Sequence, residues 1–271
     1  MVCIMGVMSK TRIDILLVEH GMVETTSLAQ RLVMAGKVRV NGQVVLNPGS
    51  RVDPAAVLAV ESGPRFVSRG GDKLEAALQA FHVNVEGSVC ADVGASTGGF
   101  TDCLLHFGAV RVYAMDVGHG ILEWKLRQDT RVVVMEETNA RLVTHLPEPI
   151  NLVTIDASFI SLKVLLPVVR GWLSSPGEVI ALIKPQFEAE RTQAARARGV
   201  IRDPDIHRKI MLDVLTFSQQ EGYEARAVLR SPLLGPKGNI EFLAYLTYPA
   251  LAVHDIAGLV AGLMDASGGI V

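Results

Sequence analysis

Four titratable residues lie where a sequence of this kind could do chemistry. The run "LVTIDAS" reaches Asp156, "VIALIKP" reaches Lys184, Glu241 opens "IEFLAYLTY", and Lys73 falls in the amphipathic segment "GDKLEAALQAF". A lysine ending a run as apolar as Val179–Ile183 is expected to be partly desolvated, which disfavours its charged form. A second lysine nearby adds to this, while Asp156 and Glu241 hold both in place. A lysine so tuned accepts a proton near neutral pH, the help an alcohol needs to act as a nucleophile. Each residue taken singly reads better as a solvated side chain or a member of a structural ion pair. The combination at strand ends favours chemistry.

The stretch "ADVGASTGGFTD", Ala91 to Asp102, supplies a turn of small residues for a ligand. Gly94 and Gly99 have the spacing of a triphosphate loop, but Phe100 stands where that loop needs its lysine. The dinucleotide pattern G-x-G-x-x-G is also missing from the turn. S-adenosylmethionine, which has no phosphate, fits better. It needs close backbone approach, hence Gly94, Gly98 and Gly99, and small hydroxyls such as Ser96 and Thr97. Asp116 in "VYAMDVG" lies 18 residues after Gly98, near the roughly 20-residue interval at which a ribose-binding acid follows such a turn. Asp92 is expected to face the methionine ammonium, and Phe100 and Val117 to complete the contacts. The competing reading is a turn with a packing role only.

Around these residues the chain from about Gly70 alternates apolar strands with helices: "SVCADVG", "VRVYAMDVG", "RVVVMEE", "INLVTIDAS", "EVIALIKP", "YEARAVLRS" and "IEFLAYLTY" between helical segments. That pattern predicts an α/β fold, Rossmann-like, with a mostly parallel sheet covered by helices on both faces. Ligands in such sheets bind beyond the carboxyl ends of the strands. The first sixty residues read as a separate α+β module: two short helices, then a hairpin at Asn41-Gly42 between valines. Domains are therefore expected over residues 1–62, with 1–9 disordered, and 70–271, joined by a linker over 63–69.

Composition narrows the classes. The chain has 271 residues, 49 % of them hydrophobic, which suffices for one medium and one small domain. "LKVLLPVVRGWL" is too short and too charged to cross a membrane, and "MVCIMGVMSK" lacks the features of a secretory signal. The expectation is a soluble cytoplasmic protein. Cys3, Cys90 and Cys103 form no CxxC pair, so no metal is expected. A net charge of −2 does not advertise nucleic acid, yet six basic residues face two acidic ones between Arg191 and Lys209. Arg12, Arg31, Lys37 and Arg39 surround the second helix and hairpin of the small module. These cations, with Arg198 and Arg202, are the candidates for RNA phosphates; a solvated face is the plain alternative.

The motifs "SRGGDKL", "DVGASTGGFTDCLL", "DVGHG", "WKLRQD", "DASFISL", "IKPQFE", "GVIRDP" and "SPLLGPKGNIEFL" together resemble the TlyA family of ribosomal RNA ribose methyltransferases, often labelled hemolysin A. That resemblance runs from Arg12 to Tyr248. It implies an RNA-binding module of ribosomal-protein (alpha-L) type ahead of an FtsJ-like methyltransferase domain, and ribosomal RNA or ribosomal subunits as partner. By the resemblance, Lys73, Asp156, Lys184 and Glu241 correspond to a catalytic Lys-Asp-Lys-Glu tetrad, with Lys184 as general base toward a ribose 2′-hydroxyl. Asn139 would meet the adenine and Asp116 the ribose of the cofactor. One departure stands out: Glu137 occupies a position beside Thr138-Asn139 where the family usually has Arg, which puts a cationic contact there in doubt. The other readings are a methyltransferase of a small molecule or another RNA, a non-catalytic RNA-binding factor, and a pore-forming hemolysin.

Overall fold

The computed structural model describes residues 9–61, 64–190 and 199–265. Residues 1–8 of the stretch expected to be disordered, and Arg198, lie outside them. The chain divides between Arg65 and Phe66 into two compact units.

In the first unit β1 (Thr11–Arg12) leads directly into α1 (Ile13–Glu19), which turns Ile13, Leu16 and Leu17 inward. The Thr25 side chain accepts from the Leu28 amide (3.2 Å) and so caps α2 (Thr26–Met34). Strands β2 (Val38–Val40) and β3 (Gln43–Val45) form the expected hairpin. Both central turn residues, Asn41 and Gly42, have positive φ (50° and 82°), which is why that dipeptide sits there. β4 (Arg51–Val52) pairs with β1, and β5 (Leu58–Val60) with the free side of β2. Ile13, Leu17, Val23, Ala29, Val33 and Val38 make the core.

The second unit begins with α3 (Gly70–Phe81), β6 (Val89–Val93), α4 (Gly99–His106), β7 (Arg111–Met115), α5 (Trp124–Arg127) and β8 (Val132–Met135). It continues with β9 (Ile150–Ile155), α6 (Leu162–Val169), β10 (Leu173–Ile183) and α7 (Pro185–Glu188). After α8 (Pro204–Gln220), whose N-cap is Asp203, come β11 (Glu224–Arg230), β12 (Phe242–Tyr248) and α9 (Ile256–Asp265). The sheet has seven strands in the order β11-β12-β10-β9-β6-β7-β8. β10, β9, β6, β7 and β8 run parallel; β12 runs antiparallel to both of its neighbours.

Alternate residues of each central strand enter opposite layers, as a pleated strand requires. Val153, Ile155, Val179, Ala181 and Ile183 join a core with α6, α8 and α9. Leu152, Ile180 and Leu182 join another with α3, α4 and α5. Both faces of the sheet are thus covered, which explains the near-continuous apolar strands.

Candidate active site

β6 is flanked by β7 and β9, so the chain leaves β6 on one side for β7 and β8 and returns on the other as β9. Such a reversal opens a crevice at the carboxyl ends of the two strands. Gly94 is the first residue past β6. Its φ is +86°, and a Cβ there would lie 2.8 Å from the Asp156 carbonyl oxygen and 2.9 Å from Ala157 Cα. Only glycine fits where the ends of β6 and β9 pass so closely. The amides of Gly94 and Ala95 both donate to the Met115 carbonyl (2.9 Å each), binding the turn to the end of β7. A Cβ on Gly98 would overlap Leu122 and Leu126.

One cavity of about 470 Å³ opens beyond β6 and β7, walled by Ser96, Asp116, Val117, Ile121, Asn139 and Leu165. Asp116 accepts from the Ser96 amide (2.9 Å) on one oxygen and the Gly118 amide (2.8 Å) on the other. Asn139 accepts from the Arg141 amide (3.1 Å) and so holds its own loop. The loop carrying Ile121 hangs on Glu136, a residue that sequence reasoning passed over. Its carboxylate accepts from the amides of Gly120 (2.7 Å), Ile121 (2.9 Å) and Leu122 (3.0 Å) and pairs with Arg127. The Arg127 guanidinium above all, with those amides, pulls the Glu136 carboxyl down to about 2. Glu137, in place of the family's usual Arg, has positive φ (52°) and pairs with His119 (3.3 Å) at the exposed rim.

A second cavity, about 390 Å³, lies on the β9–β10 side and contains all four candidate tetrad residues. They form two ion pairs. Lys184 Nζ lies 2.6 Å from Asp156 Oδ1, and Lys73 Nζ 2.6 Å from Glu241 Oε2 across 168 residues of sequence. Lys73, Lys184 and Glu241 are buried, Glu241 to 1 % exposure. Glu241 Oε1 is buried with no hydrogen-bond partner. Because β12 is antiparallel, its first residue Phe242 pairs with Ile183, the last of β10, which sets Glu241 beside Lys184 in register. Lys184 also donates to the Asp156 carbonyl (3.2 Å) and to Ser158 Oγ (3.0 Å). Gly94, Ser96, Asp156 and Ser158 line both cavities, so the two meet at one rim.

The turn residues divide between these spaces. Thr97, Gly99 and Phe100 line the second cavity rather than the first, and Gly98 lines neither but packs on α5 and the residues before it. Asp92 departs furthest from expectation. It is fully buried, outside both linings, and accepts from Thr101 Oγ1 (2.7 Å) and Thr154 Oγ1 (3.2 Å). Burial pushes its carboxyl up to about 7, and nearby Asp156 adds to this. The side chain at that point of β6 faces helix α4, so it braces the turn from beneath instead of meeting a ligand ammonium.

Three of the cations singled out for RNA are engaged within the first unit. Arg12 donates to buried Asp14 through Nε (3.0 Å) and Nη2 (2.7 Å), and this guanidinium holds the Asp14 carboxyl below its usual range. Lys37 (3.8 Å) and Arg39 (2.9 Å) share Glu61. Arg31 and Arg202 are exposed and make no ion pair among the described residues.

The glycine turn, the carboxylate at the end of the next strand and the partly apolar wall suit a nucleoside cofactor without phosphate. Together with the parallel sheet they define an S-adenosylmethionine-dependent methyltransferase. Residues 66–248 match the FtsJ-like methyltransferase family and residues 11–58 the S4 domain, an RNA-binding module; the chain belongs to the FtsJ-like methyltransferase family. It is 47 % identical over 247 residues to YqxC of Bacillus subtilis, covering 89 % of this chain and 86 % of that one. It is 43 % identical over 243 residues to the 16S/23S rRNA (cytidine-2′-O)-methyltransferase TlyA of Mycobacterium tuberculosis, covering 88 % and 90 %. A solved structure from Streptococcus thermophilus, described as a hemolysin, superposes with a TM-score of 0.70 at 42 % identity, covering 94 % of this chain and 96 % of that one. Among the described residues no helix is long and apolar enough to cross a membrane, and no group of His, Cys, Asp or Glu is placed to hold a metal ion.

Proposed function

We propose that this chain methylates a ribose 2′-hydroxyl of ribosomal RNA. The observation that carries the reading is the convergence of two largely buried lysine–carboxylate pairs on a cavity sharing its rim with the cofactor cavity. The kinship with a ribosomal RNA (cytidine-2′-O)-methyltransferase and the S4 match support the choice of substrate.

Bound S-adenosylmethionine supplies a methyl group on a positively charged sulfur that leaves as a neutral thioether. Asp116 would hold the cofactor ribose: each of its oxygens already takes one amide and retains a lone pair for a hydroxyl. Asn139 would meet the adenine. In the other cavity Lys184 acts as the general base, receiving the 2′-hydroxyl proton at Nζ while Asp156 fixes its position and favours the charge it acquires. The unpartnered Glu241 Oε1 accepts from a substrate hydroxyl, and Lys73 neutralises that carboxylate. Holding the hydroxyl in line with the methyl group supplies much of the acceleration. In this reading residues 1–62 bind RNA, 63–69 link, and 70–271 catalyse; of the candidate cations, Arg31 and Arg202 are the described ones without an ion pair and so free to meet phosphate.

The test is transfer of labelled methyl to unmodified ribosomal subunits by wild type and Lys184→Ala. Label is expected in alkali-resistant dinucleotides and should fall by about 10²–10⁴-fold in the variant, with cofactor binding retained. Undiminished label in the variant would refute Lys184 as the base; label absent from all RNA would refute the substrate.

A further inference from the structure

A lysine ammonium has three N–H donors, and Lys184 directs two of them at hydrogen-bond acceptors. One is the Asp156 carbonyl (3.2 Å), and the carboxylate of the same residue lies beside the ammonium as an ion pair (2.6 Å). Asp156 is itself fixed, its amide donating to the Val93 carbonyl (2.9 Å). The other acceptor is Ser158 Oγ (3.0 Å), an exposed hydroxyl at the rim common to both cavities. To take a proton, Nζ needs a lone pair turned toward the substrate. With the Asp156 contacts kept, a lone pair that takes the direction of the Ser158 bond faces the rim where the two cavities meet. A serine hydroxyl there stands in for the incoming hydroxyl of the ribose.

We propose that Ser158 is a positioning residue for Lys184: it accepts the hydrogen bond that the resting ammonium directs at the rim, yields that direction to the 2′-hydroxyl, and accepts the N–H again after proton transfer. This rests on the function proposed above. In balance, water first takes the proton that the ammonium directs at Ser158, which frees the Nζ lone pair; the 2′ O–H bond then breaks and its proton passes to Nζ. The oxygen forms its bond to the methyl carbon, and the electron pair of the C–S bond leaves with sulfur. The added proton then points at Ser158 Oγ, which stabilises it until water removes it. The loop keeps Ser158 at this distance by anchoring to α7, the helix that begins directly after Lys184. Glu188 of α7 accepts from the Leu162 amide (2.8 Å) and from Ser161 Oγ, and the Phe159 ring lies 4.9 Å from that of Phe187. The base and its hydroxyl partner thus hang from one segment.

The experiment measures methyl transfer to unmodified ribosomal subunits for wild type, Ser158→Ala, Ser158→Thr and Lys184→Ala, with calorimetric binding of S-adenosylhomocysteine to each. Ser158→Ala should lower kcat by about tenfold, the scale of one hydrogen bond to a charged group. KM for the subunits and the Kd of S-adenosylhomocysteine should stay within about twofold, as when an interaction is lost after binding. Ser158→Thr, which keeps the hydroxyl, should restore most of kcat. Wild-type kcat in Ser158→Ala beside an inactive Lys184→Ala would overturn this inference alone. A loss in Ser158→Ala matched by KM or Kd, or not restored by Thr, would reduce Ser158 to a part of the wall. Full activity in Lys184→Ala would overturn the underlying reading.

Discussion

The two cavities that meet at the ends of β6 and β9 are built from different materials. The one toward β7 owes its shape to the main chain: amides of Ser96 and Gly118 fix Asp116, and three further amides fix Glu136. The one toward β10 owes its shape to charged side chains brought from four separate segments and paired in a mostly buried setting. Backbone scaffolding tolerates changes of surface charge and fails when a Cβ intrudes. A buried ion pair fails when one partner goes, because the other remains uncompensated, at a cost of about 3–5 kcal/mol. The first arrangement suits holding a constant ligand, the second moving a proton.

Substitution at the shared wall should break this distinction most severely. Gly94→Ala places a Cβ against the backbone of Asp156 and Ala157 at positive φ, strain of about 1–3 kcal/mol before any repacking. Cofactor affinity and turnover should both fall by about a hundredfold or more, read by calorimetry and methyl transfer. A loss confined to one of them would show that the cavities do not depend on a common wall. Asp116→Ala should sharpen the contrast. Loss of the carboxylate is expected to weaken cofactor binding by about ten- to a hundredfold, with turnover at saturating cofactor within about threefold of wild type. Reduced turnover with unchanged affinity would instead move Asp116 into the chemistry.

The smallest effect is one of stability. Asp92 is raised to about 7, so the fold favours its neutral form. Its contribution is fully present below the unfolded value near about pH 4 and is lost as pH rises through about 7. Asp92→Asn is neutral throughout. Its melting temperature relative to wild type should therefore rise between pH 5 and pH 8; parallel curves would mean that Asp92 titrates as an ordinary carboxyl.

Much of this was legible in the residues. Strand-end placement of Asp156 and Lys184 follows from apolar runs that stop at a charge, and Asn41-Gly42 declares its turn because few other pairs adopt it. Glu241 was legible as a strand start but not as a neighbour of Lys184, since strand direction is a property of the assembled sheet. The pairing of Lys73 with Glu241 had no local signal at all. Asp92 misled because a carboxylate beside a ligand turn looks the same in sequence whether it faces the cavity or helix α4; Thr101, nine residues on in sequence, was the clue. Glu136 was hidden for a related reason, its partners being main-chain amides, which every residue but proline supplies. The α5 segment "WKLR" was noticed as a motif and not as a helix, its four residues being too few for a periodic pattern. β10 begins at Leu173, earlier than the apolar run "EVIALIKP" indicates, because Ser174 to Gly177 carry no alternation.

The position of β12 has a consequence for the growing chain. β12 lies between β10 and β11 although it is made after both, so β11 has no place in the sheet until its successor arrives. Glu241, immediately before that strand, is also the last of the four cavity residues to leave the ribosome, 168 positions after its partner Lys73. A nascent chain that has already folded its glycine turn therefore carries Lys73 with its charge unanswered and no finished acceptor cavity. That cavity is complete only once the β11–β12 hairpin is in place.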